Sequence, residues 1–156
     1  MRPTTLLTLA AILAGALLLP DAAPPAAAQS RNSPIDLVQT TLIVPGKITI
    51  GTTFRLTDEI ESVGDAPAGQ TMTYFYLSKD DKLDEGDLLV AKRLVPPLGP
   101  GQTLRDFTRV TLPDTVEPGT YFMIAKANAN GAIEERYIDN NTKATKCTVI
   151  AASDKK

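Results

Sequence analysis

TMTYFYLSKDDKLDEGD, residues 71–87, holds the two patterns on which fold and function both turn. Over residues 71–78 the apolar and aromatic side chains alternate with a period of two. Thr73, Phe75 and Leu77 share one side, and Met72, Tyr74 and Tyr76 share the other. That is a β-strand with two different faces. At Ser78 the alternation stops. Five carboxylates, Asp80, Asp81, Asp84, Glu85 and Asp87, then crowd into eight residues. Such a cluster reads as a metal site, a catalytic site or a solvated connection between strands.

Working outward from this stretch, β-patterned runs recur at 35–44, 52–60, 88–94, 103–112, 120–128 and 142–150. Turn residues separate them: Pro45-Gly46, a Gly/Ala/Asp/Pro loop over 62–69, Pro96-Pro97 and Gly99-Pro100-Gly101. Beyond residue 28 there is no helical stripe and no strand–helix alternation, so a parallel sheet is not expected. Short strands with frequent Gly and Pro turns predict an all-β fold, a seven-stranded antiparallel β-sandwich.

The chain opens MRPTTLLTLAAILAGALLLPDAAPPAAAQ. Arg2 precedes an uncharged Leu/Ala core over 6–19, and Ala26-Ala27-Ala28 offers a small-x-small cleavage pattern before Gln29. As a helix that core rises roughly 21 Å, short of the ~30 Å hydrocarbon layer. Residues 1–28 therefore read as an export signal, with an uncleaved anchor as the alternative. The expected location is periplasmic or secreted. Residues 29–34 read as a flexible lead-in, 35–151 as the sandwich domain and 152–156 as a polar tail. The chain has one cysteine, Cys147, and no histidine, so no intrachain disulfide forms and the usual zinc ligands are missing. The net charge is −2 and no basic run stands out, so nucleic acid is not an expected partner.

Pro118-Gly119-Thr120-Tyr121 opens the sixth run and predicts a tyrosine corner, with the ring buried and the hydroxyl bonded to upstream backbone. That places Tyr121, Met123, Ala125 and Ala127 inside, together with Thr145, Cys147 and Val149 from the last run. Cys147 is then an inert core thiol. The same register turns Tyr74, Tyr76, Phe122 and Ile124 outward on adjacent strands. Four such residues form a candidate contact surface for a protein partner or a second copy. The alternative is that lysine stems, the lead-in or a loop cover them. Asp58 falls in phase with Phe54, Leu56 and Ile60 on the buried side. It is expected at a strand end, at a bulge, or hydrogen-bonded to backbone or threonine hydroxyls.

Oxygen-only ligands suit calcium, and Asp80, Asp84 and Asp87 are the candidate ligands, with Asp81 or Glu85 adding charge. The spacing is not that of an EF-hand, because Lys82 and Glu85 stand where Asp or Asn and then Gly are needed. Lys79 and Lys82 also weaken the local field. The competing reading is a solvated turn in which Leu83 tucks onto the sandwich, Gly86 turns the chain and Asp side chains cap backbone N–H groups. An enzyme is not expected. There is no histidine and no nucleophile-elbow serine, and acids crowded on one loop lack the fixed separation that glycoside cleavage requires. No resident cofactor is expected beyond that candidate calcium. A carbohydrate ligand is left open, though no tryptophan platform exists.

Several pieces together resemble the CARDB family, the cell-adhesion-related domain found in bacteria. They are Ile35-Asp36-Leu37-Val38, FRLTDEI (54–60), FYLSKDDKLDEGDLL (75–89), LPDTVEPGTYFMIAKAN (112–128) and DNNTKAT (139–145). The resemblance implies a seven-stranded immunoglobulin-like sandwich, exported and often repeated in large surface proteins. It further implies a role in adhesion or interaction without a common catalytic activity. Here one such domain follows the leader.

Overall fold

Period-two burial closes residues 30–152, the part that the computed structural model describes, into two facing sheets. The expected signal, residues 1–28, and the tail residues 153–156 lie outside the described residues. All seven sequence runs are strands: β1 (Leu37–Ile43), β3 (Thr53–Ser62), β4 (Thr71–Ser78), β5 (Leu88–Val95), β6 (Thr103–Thr111), β7 (Gly119–Lys126) and β8 (Thr142–Ile150). An eighth, β2 (Lys47–Thr49), was not among them, and it pairs parallel to β8. The sandwich is thus eight-stranded and not wholly antiparallel. Three residues after a Pro-Gly break are too few to show a period, which is why β2 escaped the pattern. One sheet has the order β1-β3-β6, the other β2-β8-β7-β4-β5.

The inward residues are those the alternation names. Phe75, Leu56 and Met123 are fully buried, and Leu77, Tyr121, Cys147 and Val149 nearly so. Burying each of these larger apolar side chains contributes about 1.5–3 kcal/mol. Tyr121 forms the expected corner, its hydroxyl donating to Glu117 O at 3.0 Å. Thr145 is half-buried and donates to Leu42 O at 2.7 Å, tying β8 to β1. Burial pushes the Cys147 thiol up, against a lowering contact from Met123 backbone, so it stays protonated in the core.

The core is not continuous. A large cluster around Phe75 and Tyr121 is separate from a smaller one around Leu37, Ile60, Val95 and Ala127. Four strands carry a polar residue at the level between them. On β3 it is Asp58, between Leu56 and Ile60. On β5 it is Arg93, on β4 Thr73 and on β1 Gln39, all buried. Arg93 reaches across from the five-stranded sheet, and its Nη2 lies 2.6 Å from Asp58 Oδ2. Gln39 Nε2 donates to the same oxygen at 3.2 Å. The Asp58 expectation is corrected here, because an arginine from the other sheet answers the carboxylate. An inward charge on edge strand β5, together with the register shift opposite Phe75/Tyr76, also protects that edge from pairing with foreign strands.

The segment expected as a lead-in is tied down from Ser30 onward. Ser30 N donates to Glu135 O, Ser33 Oγ to Glu134 O and Arg136 Nε to Ser33 O. Gly64 presses on the same segment, where a Cβ would overlap Pro34 O and Asp36 N.

Candidate functional site

The outer face of the five-stranded sheet is laid out by strand register. Lys92, Tyr74, Lys126 and Thr142 form one row across β5, β4, β7 and β8. Two residues along, about 7 Å away, Leu89, Tyr76, Ile124 and Ala144 form the next. A further step brings Phe122 beside Lys146. On the other side of the Tyr74 row, Leu94 pairs with Met72. The Tyr74 and Tyr76 rings are 6.4 Å apart and tilted by 50°. Lys92 Nζ stands 4.6 Å from the Tyr74 ring centroid, a cation–π contact.

The register therefore brings the four candidate contact residues together, but they are not equivalent. Tyr74, Tyr76 and Phe122 are half-buried. Ile124 points to the same side yet is only 1% exposed. It underlies the patch and offers no contact area of its own. The surface it was expected to give comes instead from the edge strand, where Leu89 is 39% and Leu94 53% exposed. Sequence reading passed over these leucines because the bulge in β5 breaks their alternation. Burial, then Tyr74 and Asp87, raises the Tyr76 phenol above its ordinary value, so it remains a neutral donor.

The acidic loop stands at one margin of this face. Leu83, Asp84, Glu85 and Asp87 line a groove of about 360 Å³ with Tyr76 and Lys126. On the loop's other side is a cleft of about 520 Å³ at the end of the sandwich, floored by Leu77, Leu88, Val116 and Tyr121. Lys79 Nζ sits 3.8 Å over the Tyr121 ring there. Within the loop the candidate ligands cap backbone. Asp80 Oδ1 accepts from Lys82 N at 2.8 Å, Asp84 Oδ1 from Gly86 N at 2.7 Å and Asp87 Oδ2 from Asp84 N at 2.9 Å. Leu83 is half-buried. These are the features of the solvated-turn reading. Among the described residues no group of three or more His, Cys, Asp or Glu stands together as a metal-ligating set. None of the helices that a membrane span would need occurs among them either.

A second end of the molecule is organised by Glu135, which the sequence analysis does not single out. Its Oε1 accepts from Leu37 N at 3.0 Å, and its Oε2 accepts from the Asn128 and Asn141 side-chain amides, both at 2.7 Å. Asn128 adopts φ +45° to reach it. No sequence signal distinguishes this buried glutamate from its exposed neighbour Glu134.

Comparison with known proteins agrees with the architecture. No curated protein matches the chain. The CARDB domain of a Pyrococcus furiosus protein, determined in complex with di-metal ions, superposes with a TM-score of 0.57 at 16% identity, covering 74% of this chain and 89% of that one. A domain of a protein described as a cell surface protein from Methanosarcina acetivorans gives 0.57 at 19%, covering 74% and 92%. A β-glucosidase from Erythrobacter marinus gives 0.53 at 16%, but the match spans only 16% of the enzyme. At such identities the likeness is one of fold, and the enzyme's activity does not come with it. The CARDB family model matches residues 34–145, and on that match, with the two-sheet sandwich it predicts in place, this chain belongs to the CARDB domain family.

Proposed function

We propose that this chain is an exported, non-catalytic binding module that docks a protein through the outer face of its five-stranded sheet. One observation carries the reading. Tyr74, Tyr76 and Phe122 stay partly open beside exposed Leu89 and Leu94, and among the described residues no element lies over them except the loop at one margin. Contiguous apolar surface of this kind marks contact sites, and tyrosine suits them because it is large, stiff and amphipathic. The leader pattern over 1–28 supports export.

The test is a pull-down and crosslinking comparison in the native envelope. The double change Tyr76→Ser and Phe122→Ser is expected to abolish the wild-type association, whether with another protein or with a second copy. Retained association in a variant that still melts cooperatively removes the reading.

The second reading is a weak calcium site in the 80–87 loop. It is supported by the second oxygens of Asp80, Asp84 and Asp87, which accept no hydrogen bond among the described residues. The di-metal complex of the Pyrococcus furiosus relative also favours it. Against it stand the backbone caps that engage one oxygen of each acid, with Asp84 and Asp87 held in one turn and Asp80 in another. A Tm rise in millimolar calcium, lost in Asp84→Asn with Asp87→Asn, decides for calcium, and an unmoved Tm decides against it.

A further inference from the structure

The five-stranded sheet carries an unusual charge pattern on its outer face. Counting outward positions by register, its strands bear Lys92, Lys126 and Lys146, with Lys47 at the far edge, and no Asp or Glu. Every ion pair among the described residues uses an arginine, so none of these lysines has a carboxylate within 4 Å. Asp84, Glu85 and Asp87 of the 80–87 loop line a groove with Tyr76 and Lys126, so negative charge stands beside the middle, apolar row and disfavours an acid there. The other sheet differs, for its outer face pairs Glu59 with Arg105. The lysines also have a spacing. Lys92 and Lys126 flank Tyr74 in one row, and Lys146 stands beside Phe122 four residues further along the strands. That separation is about 13 Å, with the apolar Tyr76 row midway.

From this we infer that the face binds an extended, acidic protein segment lying along the strands, with the pattern acid-x-apolar-x-acid. In an extended chain, residues i and i+4 are also about 13 Å apart and point the same way, with i+2 between them on the same side. The two acids then meet the Lys92/Lys126 row and Lys146, while the apolar residue lies on Tyr76. A segment with acids at every position would place charge on that apolar row and lose solvation there without a partner. The inference rests on the outer-face reading and adds the class of partner to it.

The test uses the whole chain and three fluorescent peptides, with binding read by anisotropy and mapped by amide chemical shifts. The first repeats Glu-Thr-Leu-Thr-Glu; the second has the same composition with the acids adjacent; the third replaces Glu by Lys. The first peptide is expected to bind at least tenfold more tightly than the second, to weaken as salt rises, and to move amides in β4 and β7, while the third does not bind. Lys92→Glu, Lys126→Glu and Lys146→Glu together are expected to abolish binding while the melting curve stays cooperative. Equal affinity for the first two peptides overturns the inference, as does unchanged binding by the triple variant or binding seen only with a sulfated polysaccharide. If the triple variant keeps its association in the envelope while Tyr76→Ser with Phe122→Ser loses it, the acidic-segment inference falls and the face itself stands. If neither variant loses it, both fall.

Discussion

Two carboxylates, Asp58 and Glu135, are both 0% exposed, and they are held in opposite ways. Asp58 sits between the sheets and meets a cation, Arg93, delivered by the opposite layer. One of its oxygens takes both Arg93 and Gln39, and the other has no partner among the described residues. Glu135 has no cation within ion-pair distance among the described residues. Both of its oxygens are instead enclosed by N–H donors from β1 and the 127–141 loop. The difference teaches that a buried charge is tolerated by different means according to what surrounds it. Between flat sheets few backbone N–H groups are free, because the ladders use them, so a side-chain charge must come from the other layer. At Glu135 the donors are two asparagine side-chain amides from the loop and the Leu37 N–H at the first residue of β1, so neutral donors enclose the acid without a cation.

The comparison is broken most severely at Arg93. Arg93→Met leaves Asp58 as an unpaired buried charge and is expected to cost about 3–5 kcal/mol in denaturant unfolding. A loss under 1 kcal/mol would show that the arginine is not what holds the carboxylate. Glu135→Ala comes next, at about 3 kcal/mol, because it orphans the Leu37, Asn128 and Asn141 donors together.

Acidity separates the two sites further. Burial raises Glu135 above the ordinary glutamate range and outweighs the lowering by Asn128, Asn141 and Leu37 N, with Asp36 adding a further upward push. The folded chain thus binds this proton more tightly than the unfolded chain does. The associated stability is fully present below the ordinary glutamate range and is lost as pH rises through the raised value. Wild-type Tm is expected to carry that fall in its pH profile, and Glu135→Ala to lack it. Identical pH profiles would refute the assignment.

Tyr121→Phe removes only the corner hydroxyl bond to Glu117 O and is expected to cost about 1 kcal/mol. The double change Asp58→Leu with Arg93→Met is expected to fall within ~1 kcal/mol of wild type or above it, since an apolar pair replaces two desolvated charges. A loss as large as that of Arg93→Met alone would mean that the seam is stabilising in itself. Smallest of all, the triple lysine-to-glutamate variant is expected to shift stability by less than ~0.5 kcal/mol while losing its binding.

Seven of the strands were legible because each is long enough to show its period, as three-residue β2 is not, and because Tyr121 settles which side faces in. The outer patch was legible only in part. Tyr74, Tyr76 and Phe122 keep surface, but Ile124 is covered by its neighbours, and a residue's cover is not written in its own strand. The buried loop glutamate and the lysine face were not legible at all. Glu134 and Glu135 are adjacent and alike in sequence, and the three lysines come from β5, β7 and β8, more than fifty residues apart at the extremes.

By itself the order of residues determined which strand side chains face the core, since alternation and turn chemistry act between neighbours along the chain. Tertiary structure alone decided which charges meet. Arg93 finds Asp58 only when the two sheets face each other, and lysines from distant strands share one surface only after pairing sets the register. Those contacts depend on distances in space, and local pattern carries no measure of them.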